Sequence, residues 1–166
     1  VSKNKVYSTP DETPKTVQEP AAAAIAPLHN NLFIAGKEKP VYQMTPLEKM
    51  EKLRTGLNKK DLEKLKSRTA LDYDKLSKAL SVTRATLINK KGTEKFSPAL
   101  TERMISLADI YSYGYEVFED ESRFNSWMFR PNNALGGKMP YDVIDNQFGR
   151  EEVKNIIGRI DYGVYS

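Results

Sequence analysis

Cysteine is absent from all 166 residues, and histidine occurs once, as His29. Without thiols the chain has no disulfide framework, no thiolate nucleophile and no Cys-ligated zinc, and a reducing cytosol is its expected setting. With one imidazole and no thiol, it offers no Ser/His or Cys/His pair for covalent catalysis. Also missing is any apolar run near the ~20 residues that a membrane span requires. The first residues are polar and lack an apolar core, so no secretory signal is expected; a start at Val1 implies a lost initiator Met or a trimmed end. Period-two alternation of apolar and polar residues is nearly absent too, which predicts an essentially all-α fold.

What is present fits a soluble globular protein with one moderate domain plus extras: 39% hydrophobic and 29% charged residues. The net charge of +4 is unevenly spread. Residues 47–98 carry 14 basic and 7 acidic groups, whereas residues 99–166 carry 7 and 11. A basic segment followed by an acidic one suggests surfaces for two partners, the basic one suited to phosphate backbones.

Five of the nine prolines precede position 41, together with the run AAAAIAP at 21–27, so residues 1–45 are expected to form a poorly ordered arm. HNNLFIAG at 29–36 could dock as a short strand or turn. From Pro46 the pattern turns helical, with Leu47, Met50, Leu53 and Leu57 at three- and four-residue steps and Gly56 as a stop. A second helix is expected after Asn58, with Leu62, Leu65 and Thr69 on its inner side. Asp72 can cap a third, carrying Tyr73, Leu76, Ser77 and Leu80, and Thr83 a fourth, carrying Leu87. Ser97-Pro98 opens a helix that buries Leu100, Met104, Leu107, Ala108 and Tyr111. Another holds Phe124, Trp127 and Met128, and Asn132 to Met139 reads as a turn. A short helical piece follows Pro140. In the last helix, Val153, Ile156, Ile157 and Ile160 should face the core.

The stretch DYDKLSKALSVTRATLINKKG at 72–92 has the layout of a helix-turn-helix. Ser77 is the small residue of its first helix, Ser81-Val82 makes the turn, and Thr83 caps a second helix exposing Arg84, Thr86, Asn89, Lys90 and Lys91. These, with Thr83, are the candidate DNA-binding residues. The same pattern would also serve an ordinary αα-hairpin. Catalytic readings are weaker: Glu116, Glu119, Asp120 and Glu121 read as a solvated helix end, and Gly136-Gly137-Lys138 lacks the spacing of a phosphate loop. In YSYGYEVF at 111–118, Tyr111, Tyr115 and Phe118 share a helical face, which suits core or dimer packing.

The helix-turn-helix ending in TRATLINKKG, EVFED at 116–120, FRPNNALGGKMPYDVID at 129–145 and GREEVKNIIGRIDYGVYS at 149–166 together resemble the antitoxins of the Xre/MbcA/ParS group, partners of RES-domain toxins in bacterial toxin–antitoxin operons. The resemblance covers residues 71–166. It implies an Xre-like DNA-binding domain at 46–98 and a toxin-binding and dimerisation domain at 99–166, in a homodimeric cytoplasmic repressor. Such a protein needs no cofactor and no small-molecule substrate of its own. It binds operator DNA and holds an NAD-consuming toxin inactive, and so is not itself an enzyme. The candidate toxin-binding residues are Gly158, Arg159, Asp161, Tyr162, Val164, Tyr165 and Ser166, the last three either filling the toxin's cleft or folding back on their own core. Two other classes remain open: a helix-turn-helix transcription regulator with a ligand-sensing or dimerising C-terminal part, and an enzyme using the acidic cluster.

Overall fold

The computed structural model describes residues 39–163. The expected arm up to residue 38, the piece at 29–36, His29, and Val164, Tyr165 and Ser166 lie outside the described residues. Those described are helical, with no strand among them and one isolated antiparallel bridge between Asn58 and Lys95.

Chain direction is set by local capping. A short 3₁₀ turn, Val41–Gln43, leads into α1, Pro46–Thr55, where Thr45 and Glu48 form a reciprocal capping box and Gly56, at φ +74°, ends the helix. Asn58 and Asp61 cap α2, Lys59–Thr69, in the same way. Asp72 caps α3, Tyr73–Ala79, and Thr83 caps α4, Arg84–Ile88. Ser97 and Pro98 start α5, Pro98–Phe118, which at 1.5 Å per residue is roughly 30 Å long. α6, Glu121–Met128, follows Asp120. A second 3₁₀ turn, Asn133–Leu135, precedes α7, Pro140–Val143, and α8, Gln147–Asp161.

α5 is the spine. Twelve of its residues are buried, and α1, α2, α6, α8 and the first 3₁₀ turn all pack against it. A single hydrophobic cluster therefore runs from Leu62, Leu65 and Leu76 through Met104 and Tyr111 to Phe124, Val153 and Ile157. Each such side chain contributes about 1.5–3 kcal/mol when buried. Asp109, nearly buried on α5, accepts Lys49 of α1 at 2.8 Å and also Lys154 of α8, so a charged clasp spans three helices. Around Phe124, Tyr111, Tyr115 and Phe118 pack edge-on with ring centroids 5.3–5.5 Å away.

The fold departs from the sequence expectations in four places. Residues 41–44, assigned above to the arm, are docked: Val41 and Met44 are buried, Tyr42 N–H donates to Ser112 Oγ at 3.1 Å, and the Tyr42 ring stacks on Tyr113 at 5.5 Å. Leu47 and Met50, although at helical spacing, are 75% and 46% exposed, because α5 is met by the neighbouring stripe through Lys49 and Leu53. The helix after Thr83 stops at Ile88. Beyond it Asn89, Lys90 and Lys91 supply no apolar anchor, and Gly92, at φ +56°, turns the chain so that Phe96 can enter the core and donate its N–H to Leu57. Ile160 is only half-buried, lining a groove instead of the core.

Candidate nucleic-acid and protein interfaces

Two regions stand out, one on the basic half and one at the end of α8. In the first, α3 and α4 are joined through Leu80, Ser81 and Val82. Ser81 takes φ +50°, the left-handed conformation that usually falls to glycine at such a corner, and Val82 packs partly against the core. Leu87 is fully buried and fixes the inner side of α4. Its carbonyl accepts Lys59 Nζ at 2.7 Å, so a lysine from α2 closes the C-terminal end of α4, where the helix dipole favours a cation. Lys59 also donates to the Tyr73 hydroxyl, which donates to Glu63, and Lys59 and Lys66 lie 4.6 and 5.0 Å from the Tyr73 ring centroid. The Tyr73 hydrogen bond and Lys59 hold the Glu63 carboxyl below the usual carboxylate range. Sequence reasoning missed this Lys59–Tyr73–Glu63 brace, in which Tyr73 of α3 joins the i,i+4 pair Lys59–Glu63 of α2.

Of the candidate DNA-binding residues, Thr83, Arg84, Thr86, Asn89 and Lys91 are exposed. Thr83 accepts Thr86 N–H at 3.2 Å as the cap and shares a hydrogen bond with the Thr86 hydroxyl. Arg84 pairs with Asp74 at 3.3 Å, but both side chains are more than half exposed, so the pair is weak and open to exchange for a phosphate or base edge. Lys90 differs from the rest. It is half-buried, pairs with Glu94 at 3.4 Å, and lies past the end of α4.

At the other region, α8 ends in a built platform. Arg159 reaches back to Glu152 at 3.0 Å, holding the Glu152 carboxyl low, and Asp161 accepts the Tyr113 hydroxyl of α5 at 3.0 Å. Burial and Asp161 together push the Tyr113 phenol up to about 12. Gly158 is half-buried; a Cβ there would lie 3.6 Å from the Tyr113 hydroxyl, in ordinary contact. Tyr162, by contrast, is 84% exposed, and Gly163 follows at φ +69° as the helix stop. The structure thus gathers Gly158, Arg159, Asp161 and Tyr162 at one end of α8. Beside them opens a groove of about 440 Å³ lined by Phe118, Trp127, Asn132, Ile156, Arg159 and Ile160. Tyr42 and Tyr113, which the sequence gave no reason to place here, form the platform's other wall.

The acidic cluster is structural. Glu119 ends α5 in the left-handed region, Asp120 caps α6, and Glu121 pairs with Arg68 at 3.4 Å. Among the described residues no group of three His, Cys, Asp or Glu side chains could hold a metal ion, and no helix is long and apolar enough to cross a membrane.

Comparison with known proteins divides the chain at the same two regions. Residues 49–109 match the antitoxin Xre-like helix-turn-helix domain, and residues 114–163 match the antitoxin Xre/MbcA/ParS C-terminal toxin-binding domain. Among curated relatives, the Prs ADP-ribosylating antitoxin of Sphingobium sp. is 24% identical over 77% of this chain and 87% of its own length. The antitoxin Xre of Photorhabdus laumondii is 30% identical over 45% of this chain, and that of Yersinia enterocolitica 29% identical over 43%. The similarity spans about half the length of these two Xre antitoxins. These are antitoxin domains and not catalytic ones. With a helix-turn-helix seated on the first half of α5 and the toxin-binding match running through α8, the chain belongs to the Xre/MbcA/ParS antitoxins.

Proposed function

We propose that this antitoxin neutralises a RES-domain, NAD-degrading toxin by covering its active site with the end of α8, and that it represses its own operon by presenting α4 to operator DNA. The observation that carries the reading is Tyr162, an aromatic ring left in solvent at the tip of a helix whose last turn is fixed by Tyr113–Asp161 and Arg159–Glu152. An aromatic anchor on a rigid support loses little entropy on entering a cleft, and such anchors dominate interfaces. Val164, Tyr165 and Ser166 would extend it. The excess of acidic residues after position 98 suits a cationic pocket built for a dinucleotide. The Sphingobium relative, named an ADP-ribosylating antitoxin, supports a toxin with NAD chemistry. In this reading residues 46–98 serve DNA, residues 99–166 serve toxin binding and dimerisation, and Leu47, Met50 and the 81% exposed Phe148 offer apolar surface for a homodimer to cover.

The test is to co-express the protein with the product of the adjacent reading frame and to measure NAD consumption by the complex, for the parent, for Tyr162→Ala and for removal of Val164–Ser166. Released NAD turnover with an unchanged melting temperature of the isolated antitoxin is the expected result, because truncating a buried interface anchor costs ~2 kcal/mol or more whereas trimming an exposed terminus costs within ~0.5 kcal/mol. Inhibition that survives both changes would show that another surface closes the cleft.

A further inference from the structure

The corner between α3 and α4 is not free-standing. Ser81, the corner residue, donates its hydroxyl to the Asp145 carbonyl at 2.5 Å, 64 residues along the chain and immediately before α8. One turn earlier, Lys78 pairs with Asp142 at 3.1 Å and stands 5.2 Å from the Tyr141 ring centroid. The Tyr141 hydroxyl donates to the Lys75 carbonyl at 3.1 Å. From α5, Arg103 donates to the carbonyls of Leu80 and Ser81 at 3.0 and 3.1 Å. The helix carrying the turn is therefore seated on α7 and the α7–α8 corner, within the segment matched to the toxin-binding domain.

That seat is stiff. Arg150 donates to the Ile144 carbonyl at 3.0 Å, Asn146 caps α8 through Gly149 N–H, and a Cβ at Gly149 would fall 1.7 Å from the Val143 carbonyl oxygen. On the Ser81 side the choice of residue is informative. Glycine would adopt φ +50° without the steric cost that a side chain carries there. Serine adds one thing that glycine cannot, the hydroxyl bound to Asp145.

We propose that the α7–α8 corner is a positioning element for DNA reading: through the Ser81–Asp145 bond, supported by Lys78–Asp142 and Tyr141–Lys75, it fixes the direction in which α4 leaves the turn. The assignment rests on the reading that α4 contacts DNA. Ser81 and Tyr141 are positioning residues, acting on base recognition through the orientation of Arg84 and Asn89. A tilt of a five-residue helix moves these side chains off base edges while leaving lysine contacts to phosphates, which tolerate displacement, largely intact.

The experiment uses the full chain and a pool of randomised DNA duplexes. Sequences selected by the parent are compared with scrambled duplexes, at several salt concentrations, for the parent, Ser81→Gly and Tyr141→Phe. Ser81→Gly relieves the left-handed strain as it removes the bond, and Tyr141→Phe keeps the ring under Lys78, so both are expected to fold. The specificity ratio should fall by about tenfold in Ser81→Gly, with affinity for scrambled DNA and the salt slope unchanged. Tyr141→Phe should lower the ratio in the same direction. A parental ratio in folded Ser81→Gly and Tyr141→Phe overturns the positioning role. Failure of the parent to select any sequence overturns the DNA-reading assignment as well, so the two failures are distinguishable.

Discussion

At position 114 the space beside α5 that a side chain would fill is taken by an aromatic ring. A Cβ added to Gly114 would fall 2.1 Å from Phe124 Cε2, and Phe124 itself is enclosed by Tyr111, Tyr115, Phe118 and Trp127. Two effects of Gly114→Ala oppose each other. Alanine in a helix interior is favoured over glycine by ~1 kcal/mol, whereas forcing extra volume into a packed core costs ~1–3 kcal/mol or more. The second effect wins here because the ring has no empty neighbour to move into. Gly114→Ala is therefore expected to lower the melting temperature by several degrees, measured by thermal unfolding of the isolated protein. An unchanged or higher value would mean that Phe124 can swing aside at little cost.

At the scale of elements, what was legible in the sequence is what local chemistry decides. Asp72, Thr83 and Ser97 each accept an N-terminal N–H as expected of a cap, and Thr45 and Asn58 do the same at the starts of α1 and α2, because a cap involves only residues two or three apart. The length of α4 was less legible, since its end depends on Phe96 being drawn back to Leu57. The exposure of Leu47 and Met50 could not be read from spacing at all, because periodicity names a face and not what lies opposite it. Of the candidate toxin-binding residues, Gly158, Arg159, Asp161 and Tyr162 were found as a group from their place at a helix end, but the supports Tyr42 and Tyr113 come from the first 3₁₀ turn and α5. A prediction follows from that support. Tyr113→Phe keeps the stacking on Tyr42 and removes the hydrogen bond to Asp161, a half-exposed bond with a net value of ~0.5–1.5 kcal/mol. Hydrogen exchange at residues 160–163 should accelerate while the melting temperature changes by no more than a few degrees, and, in the proposed reading, toxin affinity should fall with it. Unaltered exchange would show that the last turn of α8 is held by its own backbone.

For the molecule as a whole, tyrosine burial sets an alkaline limit. Burial pushes the Tyr141 phenol up to about 12, burial and Asp161 do the same for Tyr113, and burial raises Tyr111 and Tyr115 further. The unfolded phenol titrates near 10, so the folded state favours the protonated form. That contribution is complete below pH ~10 and is lost as the pH rises toward the folded values. Stability should hold steady to about pH 9 and fall above pH 10, with tyrosinate absorbance appearing together with loss of helix. Core tyrosines that ionise while the helices persist would contradict this. The same shared core has a bearing on control. Segments on separate modules could be lost one at a time, but here α5 packs against both the helix-turn-helix and the segment matched to the toxin-binding domain, so cooperative unfolding of the shared core would remove both. In the proposed reading, damage that unleashes the toxin also derepresses the operon, so the error signal and the resupply of antitoxin arise from the same loss of folded chain.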